Sequence, residues 1–197
     1  MIQLDGRSLT LRDLNAVCVE GIQVELSEGA RVAIERARAC VDSILARGET
    51  VYGVNTGFGA LARVRIEPDR LRLLQQNLIR SHAVGVGAPF DIPTTRAITL
   101  LRANVLAAGH SGTRLVVAER LLDLLNHGIH AVIPCQGSVG ASGDLAPLAH
   151  LALVLLGEGQ VHTATGWEPA SDALARAGLT PLVLEAKEGL ALINGTQ

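Results

Sequence analysis

The feature that most constrains the fold of this chain is an apolar run that begins at Leu145 and ends before Gly157. If this run is helical, apolar residues cover nearly its whole circumference, and Asp144 just before it is a favourable helix N-cap. The run is too short to cross a bilayer, which takes about 20 apolar residues. We therefore expect a helix that lies in the middle of a helical core.

Four longer helices and one shorter helix are also expected from apolar periodicity and capping residues. For the first of them, Ser27 can serve as the N-cap and Gly48 as the residue that ends the helix. Its apolar stripe includes Val32, Cys40 and Val41. The expected helices cover residues 27–47, 68–81, 93–108, 113–126 and a short segment near 171–177.

Between these helices the sequence places glycine-rich loops at residues 52–59, 84–87 and 137–143. After Gly157, β-branched residues flank a Thr-Gly turn signal at 165–166, which predicts a small β-hairpin. No repeat, low-complexity segment or linker divides the chain. The predicted fold class is mainly α, with residues 1–197 forming one domain.

Composition excludes several classes of protein. The chain is 48% hydrophobic with a net charge of −2, which is typical of a soluble globular protein without a nucleic-acid partner. Three cysteines without framework spacing favour a reducing compartment, and the charged N-terminus is unlike a signal peptide. We expect a cytoplasmic protein without a membrane partner. Because an apolar run leads into Asn194-Gly195, we also expect the natural chain to continue.

The segment GSVGASGDLAPLAH, residues 137–150, admits three interpretations. The first is an ordinary tight turn that leads into a helix capped by Asp144. The second is a nucleophile elbow at Ser142, which fails because Asp144 stands where that motif needs glycine. The third is self-cyclisation of Ala141-Ser142-Gly143.

In that cyclisation the amide nitrogen of Gly143 attacks the carbonyl carbon of Ala141, whose oxygen leaves as water, and Ser142 loses its hydroxyl as a second water. Glycine leaves the attacking amide unhindered, alanine keeps the carbonyl accessible, and serine supplies the leaving group. The product is a ring with an exocyclic methylene, an electrophile that no standard side chain offers.

Three further positions could carry chemistry, and each also has a plain structural interpretation. Tyr52, the only tyrosine, opens YGVNTGFG, whose glycines also fit a surface turn or, weakly, a dinucleotide loop without its βαβ unit. His82 at a helix end is also typical of a residue that interacts with the helix dipole. Asn194 also fits an Asn-Gly turn.

No metal site is expected, although His127 and His130 have a suggestive spacing, because Gly128 breaks the helix between them. His150 on the apolar helix is interpreted as a hydrogen-bonded core histidine. The three cysteines are interpreted as packing residues.

Taken together, GSVGASGDLAPLAH, YGVNTGFG, SHAVGVG and LALINGT resemble the aromatic amino acid ammonia-lyases and aminomutases. The resemblance implies a methylidene-imidazolone (MIO) prosthetic group formed from Ala141, Ser142 and Gly143, with no external cofactor. It further implies that Tyr52 removes the β-proton of the substrate and that Asn194 contacts the MIO ring and the substrate. Asp144 is a candidate for assisting ring formation.

Within this family, SHAVGVG is similar to the histidine-specific pattern, in which the residue matching His82 lies near the substrate imidazole. The resemblance therefore implies the conversion of L-histidine to trans-urocanate and ammonia. The alternatives that remain open are another MIO enzyme, such as a tyrosine ammonia-lyase or an aminomutase, and a non-catalytic fragment or scaffold.

The resemblance also implies an architecture. Residues 1–197 would form the N-terminal, MIO-bearing domain of the ammonia-lyase fold, which is helical like that of fumarase and aspartase. Family members continue into a long helical bundle and assemble as homotetramers whose active sites draw on several subunits. We therefore expect the 197-residue chain to have little or no turnover alone.

Overall fold

The computed structural model of the chain describes residues 1–138 and 145–195. Within these residues the protein is mainly helical, as the sequence predicted. The helices are α1 (Leu11–Cys18), α2 (Glu28–Arg47), α3 (Leu71–His82), α4 (Ile92–Ala107), α5 (Leu115–Asn126), α6 (Leu145–Leu155), α7 (Ala170–Arg176) and α8 (Glu188–Ile193). Single turns of 3-10 helix lie at Gly59–Leu61 and Pro68–Arg70.

Three pairs of short strands complete the fold. The first, β1 (Ile2–Leu4) with β2 (Val24–Leu26), is parallel. The second, β3 (Val86–Pro89) with β4 (Pro134–Gln136), is antiparallel and uses part of the predicted loop 84–87. The third is the predicted hairpin, in which β5 (Gln160–Thr163) pairs with β6 (Gly166–Pro169).

Helix α6 lies in the core, as its all-round apolar composition predicted. Eight of its eleven residues are buried, and they include Leu148, Leu151 and Leu155. It packs against α3 and α8. In the described part of the chain, no helix is both long enough and apolar enough to cross a membrane.

Helix α2 has the predicted ends but a different buried face. Ser27 accepts a hydrogen bond from the amide of Ala30, and Gly48 adopts the left-handed conformation that ends the helix. The buried residues are Ala30, Ile34 and Val41, so the predicted stripe is wrong at two positions: Val32 and Cys40 are exposed. Spacings of four and seven residues keep the buried three on one face.

Candidate functional site

The predicted site residues lie on four separate segments. Tyr52 lies in the turn after α2, His82 is the last residue of α3, and Asn194 directly follows α8. The cyclisation triad Ala141-Ser142-Gly143, together with Asp144, lies outside the described residues, between β4 and α6. The contacts of the neighbouring helices α3, α6 and α8 therefore show how these segments are arranged.

The turn that carries Tyr52 is held by Asn55. The Asn55 side chain accepts from the amide of Val51 at 2.9 Å and donates to the carbonyl of Glu49 at 2.7 Å. Asn55 is buried, whereas Tyr52 is 58% exposed and meets Phe58 edge to face, with 5.9 Å between ring centroids. A rigid, hydrogen-bonded turn thus presents the phenol outward.

This turn packs directly on α8. Gly53 has a φ of 73°, and a Cβ atom there would lie only 2.6 Å from Cδ2 of Leu190. The left-handed backbone conformation therefore favours glycine, and the short distance shows that the turn packs closely on Leu190. Leu190 precedes Asn194 by four residues, about one helical turn or 6 Å. The Tyr52 turn consequently packs on α8 about one helical turn before Asn194.

His82 has a defined ring orientation. Its Nδ1 lies 2.8 Å from the carbonyl oxygen of Leu78, which also accepts from the hydroxyl of Ser81. Because a carbonyl oxygen only accepts, Nδ1 carries the proton in this contact. In the neutral ring, Nε2 is then an acceptor and is available to an N–H donor of a ligand.

The backbone of Asn194 is fixed by a buried arginine. The amide of Asn194 donates to the carbonyl of Leu190 at 3.0 Å. The side chain of Arg102 donates to the carbonyl oxygens of both Ala191 and Asn194 at 3.2 Å. Burial lowers the pKa of Arg102 to about 10, so the guanidinium remains charged at neutral pH. A cation at the C-terminal carbonyls of α8 also opposes their partial negative charge.

Helices α3 and α8 run in the same direction. Arg72 binds the carboxylate of Glu185 at 2.7 Å, just before α8, and Gln75 accepts from the amide of Gly189 at 2.9 Å. The residue number rises on both segments from the first contact to the second, from 72 to 75 on α3 and from 185 to 189 on the segment that leads into α8. The C-terminal ends of the two helices, which carry His82 and Asn194, therefore lie at the same end of the pair.

Helix α6 runs opposite to α3. His150 in the middle of α6 accepts from the amide of Gly85, just after α3, at 3.0 Å. Glu158, just after α6, binds Arg80 within α3 at 2.6 Å. Since the order is reversed, α6 begins at the end of α3 that carries His82. Leu145, the first described residue after the triad in sequence, lies at this same end.

The two sides of segment 139–144 also meet each other. A Cβ atom added at Gly137 would lie 3.0 Å from Cβ of Ala146 and 3.0 Å from Cα of Gly85. The residues before and after the triad therefore contact one another and the loop that follows His82. These contacts link the Tyr52 turn to α8, α8 to α3, and the loop after His82 to the residues on both sides of segment 139–144, while the roles assigned to the site residues stay predictions.

Several residues that shape this region were not singled out from the sequence. They are Asn55 in the Tyr52 turn, Gln75 on α3, Arg102 on α4 and Glu188 at the start of α8. Each is a buried polar side chain that binds backbone atoms distant in sequence, apart from Asn55, whose partners are local. The string NTGFG, which marks a glycine-rich turn, is the only local signal that could have found one of them.

The remaining histidines and cysteines lie elsewhere. His130 accepts from Arg96 at 3.2 Å, and burial with the nearby positive charge of Arg96 lowers its pKa to about 4. His127 lines an open cavity of about 400 Å³ beside the β5–β6 hairpin. Of the cysteines, only Cys18 is buried, so the packing interpretation is wrong for Cys40 and Cys135, which are exposed.

Metal binding finds no support in the described part of the chain, where no three His, Cys, Asp or Glu side chains are grouped to hold an ion. His150 is hydrogen-bonded, as predicted, but it is half-buried and is not one of the core residues.

Comparison with known proteins identifies the class. Residues 9–197 match the model of the aromatic amino acid lyase family, and the chain belongs to that family. It is 58% identical over 196 residues to a histidine ammonia-lyase of Chloroflexus aurantiacus, covering 98% of this chain but 38% of the relative. The chain thus spans well under half the length of such relatives.

Solved structures agree in fold. A histidine ammonia-lyase from Trypanosoma cruzi superposes with a TM-score of 0.90 at 45% identity, over 99% of this chain and 37% of that one. A tyrosine aminomutase from Streptomyces globisporus gives 0.92 at 39% identity, over 99% and 36%. The predicted resemblance to ammonia-lyases and aminomutases is confirmed, and the likeness in sequence extends to histidine ammonia-lyases.

His150 provides a test of the contact between α6 and the His82 loop. Because Nε2 accepts from Gly85 and burial lowers the pKa of His150 below 6.5, we expect a neutral ring with the proton on Nδ1. Protonation is less favourable in the folded state than in the unfolded chain, so stability should fall as pH drops below about 6.5. Histidine NMR titration measures the tautomer and the pKa; an Nε2–H tautomer at neutral pH would rule out the contact.

Proposed function

We propose that residues 1–197 are the N-terminal domain of a histidine ammonia-lyase, which converts L-histidine to trans-urocanate and ammonia. The observation that carries this proposal is a set of contacts that joins the Tyr52 turn to α8, α8 to α3, and the loop after α3 to both sides of segment 139–144. Identity of 58% to a histidine ammonia-lyase supports the choice of substrate.

The electrophile is proposed to be the MIO group, formed from Ala141, Ser142 and Gly143 without an external cofactor. Two observations support a fit. The three residue types suit cyclisation, and the contacts among Gly137, Ala146 and Gly85 hold both flanks of the segment together. Such anchoring favours the compressed backbone that ring closure requires. The ring supplies an electrophile toward the substrate amino group, which makes ammonia a better leaving group.

Asp144 is proposed to assist ring formation from the position directly after the triad. It also precedes Leu145, the first residue of α6, where a carboxylate can accept from free amides. Its role would therefore combine maturation of the site with capping of the buried helix.

Tyr52 is proposed as the base that removes the proton from the β-carbon of histidine. The turn closed by Asn55 presents the phenol outward, and the contact between Gly53 and Leu190 fixes this turn on α8. A base must lie within hydrogen-bonding reach of the proton that it takes, so the rigidity of this turn is useful.

His82 is proposed to bind the imidazole of the substrate. With Nδ1 donating to Leu78, its Nε2 can accept from an imidazole N–H, a partner that the ring of phenylalanine lacks. Asn194 is proposed to contact the ring and the substrate from the end of α8. Losing a buried hydrogen bond is costly, so such a pairing favours histidine over apolar amino acids.

The complete enzyme is proposed to be a cytoplasmic homotetramer in which a helical bundle beyond residue 197 completes each active site. The isolated 197-residue chain would then form no measurable urocanate. The likeness to a tyrosine aminomutase favours one second candidate, a different MIO enzyme. A non-catalytic scaffold is the third outcome of the test below.

The direct test is a substrate comparison with the complete protein that contains this chain. We expect ammonia and urocanate from L-histidine, with kcat/KM about a hundredfold or more above that for L-tyrosine or L-phenylalanine. Absorbance of urocanate and an ammonia assay measure this. Preference for tyrosine, or formation of a β-amino acid, would indicate the second candidate, and inactivity toward all three would indicate a scaffold.

The role of Tyr52 is tested by Tyr52→Phe in the complete protein. Removing a general base typically lowers the rate about 10²- to 10⁴-fold, so we expect kcat to fall by this factor with little change in KM. Intact mass serves as the control, because the MIO ring should form as in the parent protein. Retention of more than about half the parent kcat would exclude Tyr52 as the base.

A further inference from the structure

The start of α8 lacks the local features that normally begin a helix. Lys187 occupies the N-cap position in a left-handed conformation, with a φ of 77°, and no side-chain cap is present there. The first amides of a helix have no partner within the helix itself. The acceptors for this helix start must therefore come from elsewhere in the fold.

Gln75 supplies one of these acceptors from α3. Its side chain is fully buried, and its Oε1 accepts from the amide of Gly189, the second residue of α8, at 2.9 Å. The contact allows no side chain on the other helix: a Cβ atom at Gly189 would lie 2.9 Å from Oε1 and 3.0 Å from the carbonyl oxygen of Gln75. The two helices touch at this point.

The carboxylate of Glu188 is a second buried group that forms hydrogen bonds at the start of α8. The carboxylate of Glu188 accepts from the amide of Glu185 at 2.7 Å and from the amide and side chain of Arg114 at 2.8–2.9 Å. This group ties α8 to the segment before α5, however, and not to α3. Arg72 of α3 binds Glu185 before α8, but among the described residues Gln75 alone makes a hydrogen bond from α3 to a residue within α8.

The contact between Gln75 and Gly189 affects the separation of His82 and Asn194. His82 lies seven residues beyond Gln75, about 10 Å along α3, and Asn194 lies five residues beyond Gly189, about 8 Å along α8. Because the helices run in the same direction, a shift or tilt at the contact changes the separation of His82 and Asn194. No other described hydrogen bond joins α3 to α8 directly.

We propose that Gln75 is a positioning residue, which sets the spacing and register of α3 and α8 so that His82 and Asn194 engage one substrate together. This inference rests on the proposed function for the identity of the substrate. Gln75 lies about two helical turns from His82, so it acts through the helices and does not touch the substrate.

The test uses Gln75→Met in the complete protein, which keeps the volume of the side chain but removes the acceptor for Gly189. Gln76→Met is the matched control: it makes the same change one position along, where the side chain binds Glu158 and not α8. Gln75→Glu is the rescue variant, because burial keeps its carboxyl group protonated and its carbonyl oxygen can still accept from Gly189. Gly189→Ala disturbs the contact from the opposite side.

We expect Gln75→Met to lower kcat/KM for histidine about ten- to a hundredfold, because small misplacements of binding groups are costly. Intact mass should show the MIO ring unchanged, and hydrogen exchange should speed up at the start of α8. Gln76→Met should stay within about twofold of the parent protein, and Gln75→Glu should recover most of the loss.

The proposal is overturned if Gln75→Met speeds exchange in α8 but keeps kcat/KM within about twofold, since Gln75 would then serve stability alone. An equal loss in Gln76→Met would also overturn it. If Gln75→Met does not fold, Gly189→Ala decides by the same two measurements. If the parent protein deaminates another amino acid, the proposed substrate is wrong, and the comparison of Gln75→Met with Gln76→Met is made with that amino acid.

Discussion

The rest of the structure depends on the burial of α6. A helix that is apolar on all sides must be surrounded, and α3 and α8 are among the elements that surround it. Because α6 runs opposite to α3, its first residue emerges where α3 and α8 end. Hydrophobic burial thus places the beginning of α6 beside the end of α3 that carries His82.

Burial alone does not set the distances among these ends, and buried polar side chains do so instead. Gln75, Arg102 and Glu188 each bind backbone atoms of α8 or of the residues around it. His150 in the same way ties α6 to the loop after His82. Leaving a buried polar group without a hydrogen-bond partner costs free energy, so each of these contacts restricts the distance and angle between the groups that it joins. Apolar burial therefore packs the helices around the candidate site together, and buried polar contacts fix the positions of their ends.

How far the sequence predicts this arrangement depends on how local each signal is. Helix α2 was predicted to within a residue because Ser27 and Gly48 cap it, and the β5–β6 hairpin because a Thr-Gly turn lies between its strands. Helix α8 was not predicted, since Lys187 is no helix signal and its partners are distant. The parallel pairing of β1 with β2 was missed for the same reason. The site segments were found by resemblance, whereas Gln75 has no local pattern that marks it.

The central claim is that the backbone of Ala141-Ser142-Gly143 becomes the electrophile of a histidine ammonia-lyase. The most direct measurement is the mass of the proteolytic peptide that contains residues 141–143, taken from the complete, histidine-deaminating protein. The account predicts a peptide lighter than its sequence by two water molecules, and an unmodified peptide in Ser142→Ala together with loss of turnover. An unmodified peptide from a fully active parent protein would contradict it.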